Sequence, residues 1–170
     1  MTYWIGIDQG MTGAIAALDD AGTLLECWDI PTYEKGGGAK GNEYDLPGLI
    51  DILQYEVLGP LGPDDCYVIT ENVMFSKGPN SKVPVFAEMK LARSQGLWEG
   101  ILATNRVRYE LVHPAAWKKT FSITAKGEAG KAASRQLALR IWGGSDWFRR
   151  VQDHNRAEAA LMAEHRRRIG

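Results

Sequence analysis

The chain has 170 residues, of which 45% are hydrophobic and 24% charged, with a net charge of −1. These proportions exclude a disordered chain, a collagen-like fibre and a disulfide-stapled miniprotein, and the length favours a single domain spanning 1–170. No apolar run reaches the roughly 18 residues that cross a bilayer, and no signal segment opens the chain. The two cysteines, Cys27 and Cys66, lie in apolar stretches and are expected to be buried, reduced thiols. We therefore expect a cytoplasmic protein with no membrane partner.

Charge is distributed unevenly along the chain. Residues 1–105 contain 6 Lys and Arg against 15 Asp and Glu, whereas residues 106–170 contain 14 against 6. Such asymmetry is typical of a protein that binds a polyanion on one basic surface while its carboxylates act elsewhere. A solvated basic helix and tail would give the same counts, so charge alone leaves both interpretations open.

The first sixty residues predict three short strands followed by a helix. Glycine-containing turns separate the strands, and a Gly-rich segment after the third strand predicts a loop. Apolar residues at helical spacing, ended by Gly59-Pro60, predict the helix. The predicted elements are strands at 3–8, 14–18 and 23–30, a loop at 34–44 and a helix at 46–58.

The remainder of the chain alternates between strands and helices. A short, nearly continuous apolar run that ends at Glu71 is typical of a buried central strand. The predicted elements are strands at 66–70 and 108–112, a breaker-rich loop at 76–84, and helices at 85–104, 126–142 and 154–168. A three-strand meander followed by this alternation predicts one α/β domain built on a mixed sheet.

Three carboxylates from distant parts of the sequence stand where a charge is costly. Asp8 ends the first strand, Glu71 ends the buried strand, and Glu158 lies within an alanine-rich helical pattern. A shared cation would compensate all three, and oxygen ligands suit Mg²⁺ or Mn²⁺. Two such ions in one site would support phosphodiester hydrolysis, with one activating water and the other stabilising the leaving oxygen.

Simpler roles for the same residues remain open. Asp8 could cap its glycine turn, and Glu71 could pair with a lysine. His154 is spaced i,i+4 from Glu158 and shares its helical face, so it is either a proton-transfer or ligand group or a surface histidine. Asp153 is either a further ligand or the N-cap of the last helix.

Five segments carry a resemblance to a known family. The chain resembles the RuvC-like Holliday junction resolvases, crossover junction endodeoxyribonucleases of the RNase H-like superfamily, and especially their small phage-type members. The segments occur in family order and cover most of the chain: Ile5-Gly6-Ile7-Asp8-Gln9-Gly10-Met11-Thr12-Gly13-Ala14, Tyr67-Val68-Ile69-Thr70-Glu71, Gly96-Leu97-Trp98-Glu99-Gly100-Ile101-Leu102, Val112-His113-Pro114-Ala115-Ala116-Trp117-Lys118-Lys119 and Asp153-His154-Asn155-Arg156-Ala157-Glu158-Ala159.

The resemblance implies an RNase H-like fold, with a five-stranded mixed sheet flanked by helices. It implies that Asp8, Glu71 and Glu158 are catalytic, metal-binding carboxylates that hold two Mg²⁺ (or Mn²⁺) ions per site. A fourth family position, acidic or histidine, falls about one helical turn before Glu158. Of the residues in that window, His154 is preferred by geometry and Asp153 is the reserve, with Asn155 beside them.

The resemblance also implies a homodimer that places two active sites against opposite strands of a four-way DNA junction. The helix at 85–104 is the expected dimer element, although its composition also suits a core helix. Residues expected to bind DNA phosphates are Lys77 and Lys82 in the loop at 76–84, with Lys118, Lys119, Lys126, Lys131, Arg135 and Arg156. Trp117 is expected to pack beneath its helical turn rather than stack on a base.

Three other functions compete with a junction resolvase. An actin-like sugar kinase would share the Asp8-Gln9-Gly10 turn, but 170 residues cannot supply its second lobe. A nuclease acting on structured RNA or an RNA–DNA hybrid would use the same carboxylates. A catalytically weak junction-binding protein would be indicated by a departure at the fourth position, where His154 stands. Metal-dependent cleavage and substrate preference distinguish these alternatives.

Overall fold

The structure is a computed structural model that describes residues 1–36, 41–72, 85–143 and 146–170. The predicted loop at 76–84, including Lys77 and Lys82, lies outside these residues. None of the described helices has the length and hydropathy that crossing a bilayer requires.

A five-stranded mixed sheet forms the centre of the fold. Its strands are β1 (Tyr3–Asp8), β2 (Ala14–Leu18), β3 (Leu24–Asp29), β6 (Cys66–Glu71) and β7 (Arg108–Val112), in the order β3-β2-β1-β6-β7. The first three strands are antiparallel, whereas β1, β6 and β7 run parallel to one another. A separate hairpin pairs β4 (Thr32–Glu34) with β5 (Asn42–Tyr44).

Helices cover both faces of the sheet. They are α1 (Leu46–Asp51), the single turn α2 (Gly59–Leu61), α3 (Val85–Thr104), α4 (Pro114–Thr120), α5 (Gly127–Ile141) and α6 (His154–Ile169). Side chains alternate across β1, so that Ile5 and Ile7 pack with Trp98 of α3 on one face. The opposite face packs small residues of β2 against the alanines of α6. This opposite face carries the close helix contact that positions the site.

Most sequence-predicted elements are present within a residue or two of their expected bounds. The helix predicted at 46–58 continues beyond α1 as a π-helical stretch, Ile52–Leu58. The wider turn puts Leu53 and Leu58, five residues apart, on the same buried side. The segment predicted as a loop at 34–44 instead contributes to the β4–β5 hairpin at its two ends. Cys27 and Cys66 are buried and unpaired, as expected.

Candidate active site

Two of the predicted carboxylates meet at one edge of the sheet. Asp8 is the last residue of β1 and Glu71 the last residue of β6. The two strands are parallel neighbours, with Ile7 opposite Thr70, so both carboxylates emerge at their carboxyl ends. The sheet register therefore explains why residues 63 positions apart in sequence lie side by side.

The third carboxylate is brought to this edge by close packing of α6 on β1. A Cβ added to Gly6 would lie 1.8 Å from the carbonyl oxygen of Ala159, so only glycine permits this approach. Glu158 directly precedes Ala159 in α6. Its charge is the nearby charge that most strongly raises the pKa of Asp8. The structure thus places Asp8, Glu71 and Glu158 in one region, where the charges of the two glutamates act on Asp8.

Burial and mutual repulsion oppose ionisation of this cluster. Burial raises the pKa of Asp8 to about 7, and the negative charges of Glu158 and Glu71 act in the same direction. Burial also raises the pKa of Glu71, although a hydrogen bond from Trp117 and the charge of Lys118 oppose the rise. The site therefore concentrates negative charge that a cation would stabilise.

Neighbouring donors hold two of the three carboxylates. The Trp117 indole Nε1 donates to Glu71 Oε1 at 2.8 Å. Glu158 Oε1 accepts from Ser134 Oγ at 3.1 Å and lies 3.7 Å from Lys118 Nζ. Asp8 Oδ1 is 3.5 Å from the backbone nitrogen of Gly10. Helices α4 and α5 thus supply the groups that orient the carboxylates of β6 and α6.

The donor set suits a hard divalent cation. The three side chains offer only carboxylate oxygens, which Mg²⁺ and Mn²⁺ prefer. Among the described residues, no three His, Cys, Asp or Glu side chains are gathered closely enough to enclose a metal ion. Glu71 and Glu158 instead engage Trp117, Ser134 and Lys118. A cation among the carboxylates would offset the repulsion that raises the pKa of Asp8.

The three residues at 153–155, in the window before Glu158, make different contacts. Asp153 is 2% exposed, and Arg150 occupies both of its oxygens through its backbone N–H and its guanidinium at 2.7–2.9 Å. The Nδ1 atom of His154 lies 3.1 Å from the Val151 carbonyl oxygen. His154 is not among the charges that most affect Asp8 or Glu71. Asn155 donates to the Thr12 carbonyl, in the turn that follows Asp8. Ligand roles for His154 and Asp153 stay predictions.

A basic cleft adjoins the carboxylates. It has a volume of about 660 Å³ and lies along α4 and the segment after it. Lys118 reaches from this cleft to Glu158, while Lys119 and Lys126 are exposed. Lys131 pairs with Glu128 at 2.9 Å. The residues that line the basic cleft are His113, Pro114, Ala115, Lys118, Lys119, Ser122, Ile123, Thr124, Ala125 and Lys126.

Two predicted phosphate-binding arginines make contacts within the chain. Arg156 forms a bidentate ion pair with Asp29, with N–O distances of 2.5 and 2.6 Å. Arg135 donates to the backbone carbonyls of Phe148 and Arg149. Each guanidinium therefore stabilises the fold, and the lysines of the basic cleft are the better-placed candidates for phosphate contacts.

The arginine run at the C-terminus is also engaged by carboxylates. Arg166 pairs with Glu110 and lies over the ring of Tyr67, 4.8 Å from its centroid. Arg167 and Arg168 both pair with the buried Glu164, each at 2.7 Å. The Arg166 contacts fasten the end of α6 to the sheet, whereas the pairs of Arg167 and Arg168 with Glu164 lie within α6.

Sequence reasoning missed the groups that orient the carboxylates. Trp117 was expected to pack, and it is fully buried, but its indole also binds Glu71. Ser134 of α5 carried no sequence signal, because a serine within a helix is unremarkable. His113 helps to lower the pKa of Glu71 and caps α4 by accepting the Ala115 N–H. The stretch His113–Lys119, which lies within one of the family-like segments, contains both His113 and Trp117 and was the available sequence signal for these two roles.

The raised pKa of Asp8 predicts how the stability of the metal-free protein depends on pH. The pKa of Asp8 is about 7 in the folded protein, against an ordinary value of 3.8. The contribution of protonated Asp8 to folding stability is therefore full below about pH 4 and is lost as the pH rises through 7. We expect Asp8→Asn in EDTA to unfold with a free energy about 3 kcal/mol higher than wild type at pH 8, and to lose most of that advantage at pH 4.5. Urea unfolding at both pH values measures this. Asp51→Asn, on the exposed side of α1, is the matched control; a pH-independent difference for Asp8→Asn would contradict the prediction.

Comparison with known proteins bears on the fold. No family model and no curated protein matches the sequence. Solved structures do match: the RuvC of Thermus thermophilus in complex with a Holliday junction substrate aligns with a TM-score of 0.59 and 17% identity, covering 100% of this chain and 97% of that one. A second Thermus thermophilus RuvC structure aligns with a TM-score of 0.55 and 17% identity, covering 99% and 97%. The fold that the sequence motifs predicted is confirmed. The described residues have the RNase H-like fold of these RuvC structures.

Proposed function

We propose that this protein is a structure-selective endonuclease that resolves four-way DNA junctions by paired, metal-dependent hydrolysis of phosphodiesters in opposing strands. The observation that carries this proposal is that Asp8 and Glu71 end neighbouring strands at one sheet edge, where the charge of Glu158 acts on both and Lys118 of the basic cleft pairs with Glu158. The RuvC likeness supports the choice of substrate, because one matched structure is a complex with a Holliday junction.

The site residues have separate roles in this reaction. Asp8, Glu71 and Glu158 would hold divalent ions, Mg²⁺ or Mn²⁺, and the ions would supply activation of a water and stabilisation of the leaving 3′-oxygen. Lys118, Lys119 and Lys126 hold phosphates of the DNA backbone beside the carboxylates. In-line attack of water then leaves 5′-phosphate and 3′-hydroxyl ends that a ligase can join. The fourth position belongs to the 153–155 window, where Asn155 contacts the turn after Asp8.

A gel assay on a synthetic four-way junction tests the proposal. Matched linear duplex is the control, and each substrate is incubated with Mg²⁺ or with EDTA at several salt concentrations. We expect paired nicks in opposing strands of the junction that require Mg²⁺ and are absent from the duplex. Binding without cutting in Mg²⁺ and in Mn²⁺ would indicate a junction-binding protein instead. No preference for the junction over duplex would overturn the proposal in favour of RNA or RNA–DNA hybrid substrates.

The lysines of the basic cleft make a prediction for binding. We expect Lys119→Gln and Lys126→Gln each to weaken junction binding about 3–10-fold near 0.1 M salt and to lower the slope of log K against log salt by about 1, because each removes one phosphate contact. Lys131→Gln is the matched control: Glu128 already compensates its charge, so a smaller effect is expected. Fluorescence anisotropy in Ca²⁺ or EDTA measures binding without cleavage. An unchanged salt slope for both variants would place the DNA elsewhere.

A homodimer through α3 completes the proposal, because cutting two strands in opposition needs two sites. The second half of α3 packs in the core through Trp98 and Leu102. Its first turns instead expose Phe86 and Met89, with 67% and 63% of each residue accessible. Two large apolar side chains exposed three residues apart on a helix are typical of a protein contact surface.

The dimer is testable by sedimentation. We expect wild type to sediment at twice the chain mass and the double variant Phe86→Asp/Met89→Asp at the chain mass, since two charges would disfavour the contact. Tyr55→Asp is the control, because Tyr55 is 71% exposed and lies outside α3, so its change should leave the dimer intact. A monomeric wild type at micromolar concentration would contradict this arrangement.

A further inference from the structure

Buried tryptophans in this protein differ in what their indole N–H groups contact. Trp98 and Trp117 are both fully buried. In the described part of the chain the Nε1 atoms of Trp4 and Trp98 have no hydrogen-bond partner. Trp117 Nε1, by contrast, donates to Glu71 Oε1 at 2.8 Å. The fold therefore tolerates a tryptophan used for packing alone, and Trp117 contributes something more.

Trp117 is itself held rigidly. Its ring packs in a cluster with Ile69 of β6, Val112 of β7 and Leu161 of α6. His113 and Pro114 fix the start of α4, where the His113 Nδ1 accepts the Ala115 N–H at 3.0 Å. A donor on a rigid element fixes the rotamer of the carboxylate that it binds.

We propose that Trp117 is a positioning residue for metal binding: its indole N–H fixes the carboxylate of Glu71 through Oε1 and leaves Oε2 for the cation. The inference rests on the proposed function to the extent that Glu71 is a metal ligand. A neutral donor suits this role, because it orients the carboxylate without cancelling the charge that attracts the cation. Lys118, which neighbours Trp117 in the chain, forms its ion pair with Glu158 and acts on Glu71 through its charge, so among the described residues the hydrogen-bond donor to the Glu71 carboxylate is the neutral indole.

Two variants separate positioning from packing. Trp117→Phe removes the donor but keeps an aromatic ring, and Trp98→Phe makes the same change at a buried indole without a partner. Isothermal titration with Mn²⁺ alone, without DNA, measures metal affinity, and urea unfolding measures stability. We expect Trp117→Phe to weaken Mn²⁺ binding about 10-fold or more, and Trp98→Phe to leave it within about 2-fold. Both variants should lose stability to a similar degree.

Indole NMR of the wild-type protein tests the contact without any variant. The chain has six tryptophans, and ¹⁵N labelling of tryptophan gives one Nε1–H signal for each. The signals of Trp117 and Trp98 are assigned in the wild-type protein itself, by triple-resonance and NOE experiments. On titration with Mg²⁺ we expect the Trp117 signal to shift with the same midpoint as metal binding, while the Trp98 signal stays unchanged.

Each outcome decides the inference. Equal Mn²⁺ affinity of Trp117→Phe and Trp98→Phe, or a Trp117 signal that ignores Mg²⁺ while wild type binds it, would overturn the positioning role. If Trp117→Phe fails to fold, the wild-type NMR titration still decides. A protein whose Trp117 responds to metal but which cuts no junction would retain the inference and lose the proposed function. A protein that cuts junctions but whose Trp117 signal does not respond to metal would retain the proposed function and lose the inference.

Discussion

Asp8→Asn is expected to abolish junction cleavage while leaving junction binding within about 3-fold of wild type. Asparagine keeps the size of the side chain and an oxygen for the Gly10 N–H, but it removes the negative charge at the centre of the carboxylate cluster. Loss of a metal ligand should lower the nicking rate at least about 10³-fold. Phosphate contacts come from the basic cleft, so affinity should persist.

Single-turnover nicking in Mg²⁺ and anisotropy in EDTA measure the two effects separately for Asp8→Asn. Asp51→Asn controls for the loss of one negative charge from the chain. A parallel loss of binding would show that the carboxylates and the basic cleft do not act as separate units. Residual cleavage within 10-fold of wild type would remove Asp8 from the catalytic set.

Gly6→Ala is expected to cost about 3 kcal/mol or more of unfolding free energy. The new Cβ would lie 1.8 Å from the Ala159 oxygen and 2.7 Å from its carbon, and backbone atoms of a packed helix cannot move aside cheaply. The helix must separate from β1, and Glu158, which precedes Ala159, must move with it. We therefore expect the variant to lose most of its stabilisation by Mg²⁺ as well.

Urea unfolding with and without Mg²⁺ tests Gly6→Ala. Gly36→Ala is the matched control, because a Cβ there meets nothing within 4 Å and should change stability by no more than about 0.5 kcal/mol. If the unfolding free energy of Gly6→Ala is within about 1 kcal/mol of the wild-type value, the close approach of α6 to β1 is not what places Glu158.

Much of the fold was predictable because its elements carry strong local signals. The helix expected at 85–104 and the strand expected at 108–112 have the observed bounds of α3 and β7. The β4–β5 hairpin was not predicted, since its strands are three residues each and gain their order from tertiary contacts. The Tyr44 hydroxyl, for example, donates a hydrogen bond to the Gln9 carbonyl oxygen at 2.8 Å, and the periodicity of the sequence cannot reveal such a contact.

The candidate site was predictable where a charge stood out against apolar surroundings. Asp8, Glu71 and Glu158 met that condition, and in the structure the charges of both glutamates act on Asp8. The contacts of Asp153 were not foreseen, because its burial against Arg150 depends on how the chain enters α6. Arg156 was expected at a phosphate, but the ion pair with Asp29 depends on a strand 127 residues away. Charge identifies candidates, and only tertiary structure assigns their partners.

The ion pairs at the end of α6 reduce the unpaired positive charge that the second half of the chain presents. Arg166, Arg167 and Arg168 pair with Glu110 and Glu164, so two of their three positive charges are offset in the field that a distant polyanion experiences. Under the proposed function, the attraction that guides DNA to the protein therefore originates mainly from a smaller, localised group of lysines rather than from the whole basic half. A localised source gives the approaching polymer a preferred orientation, which a diffuse charge cannot do.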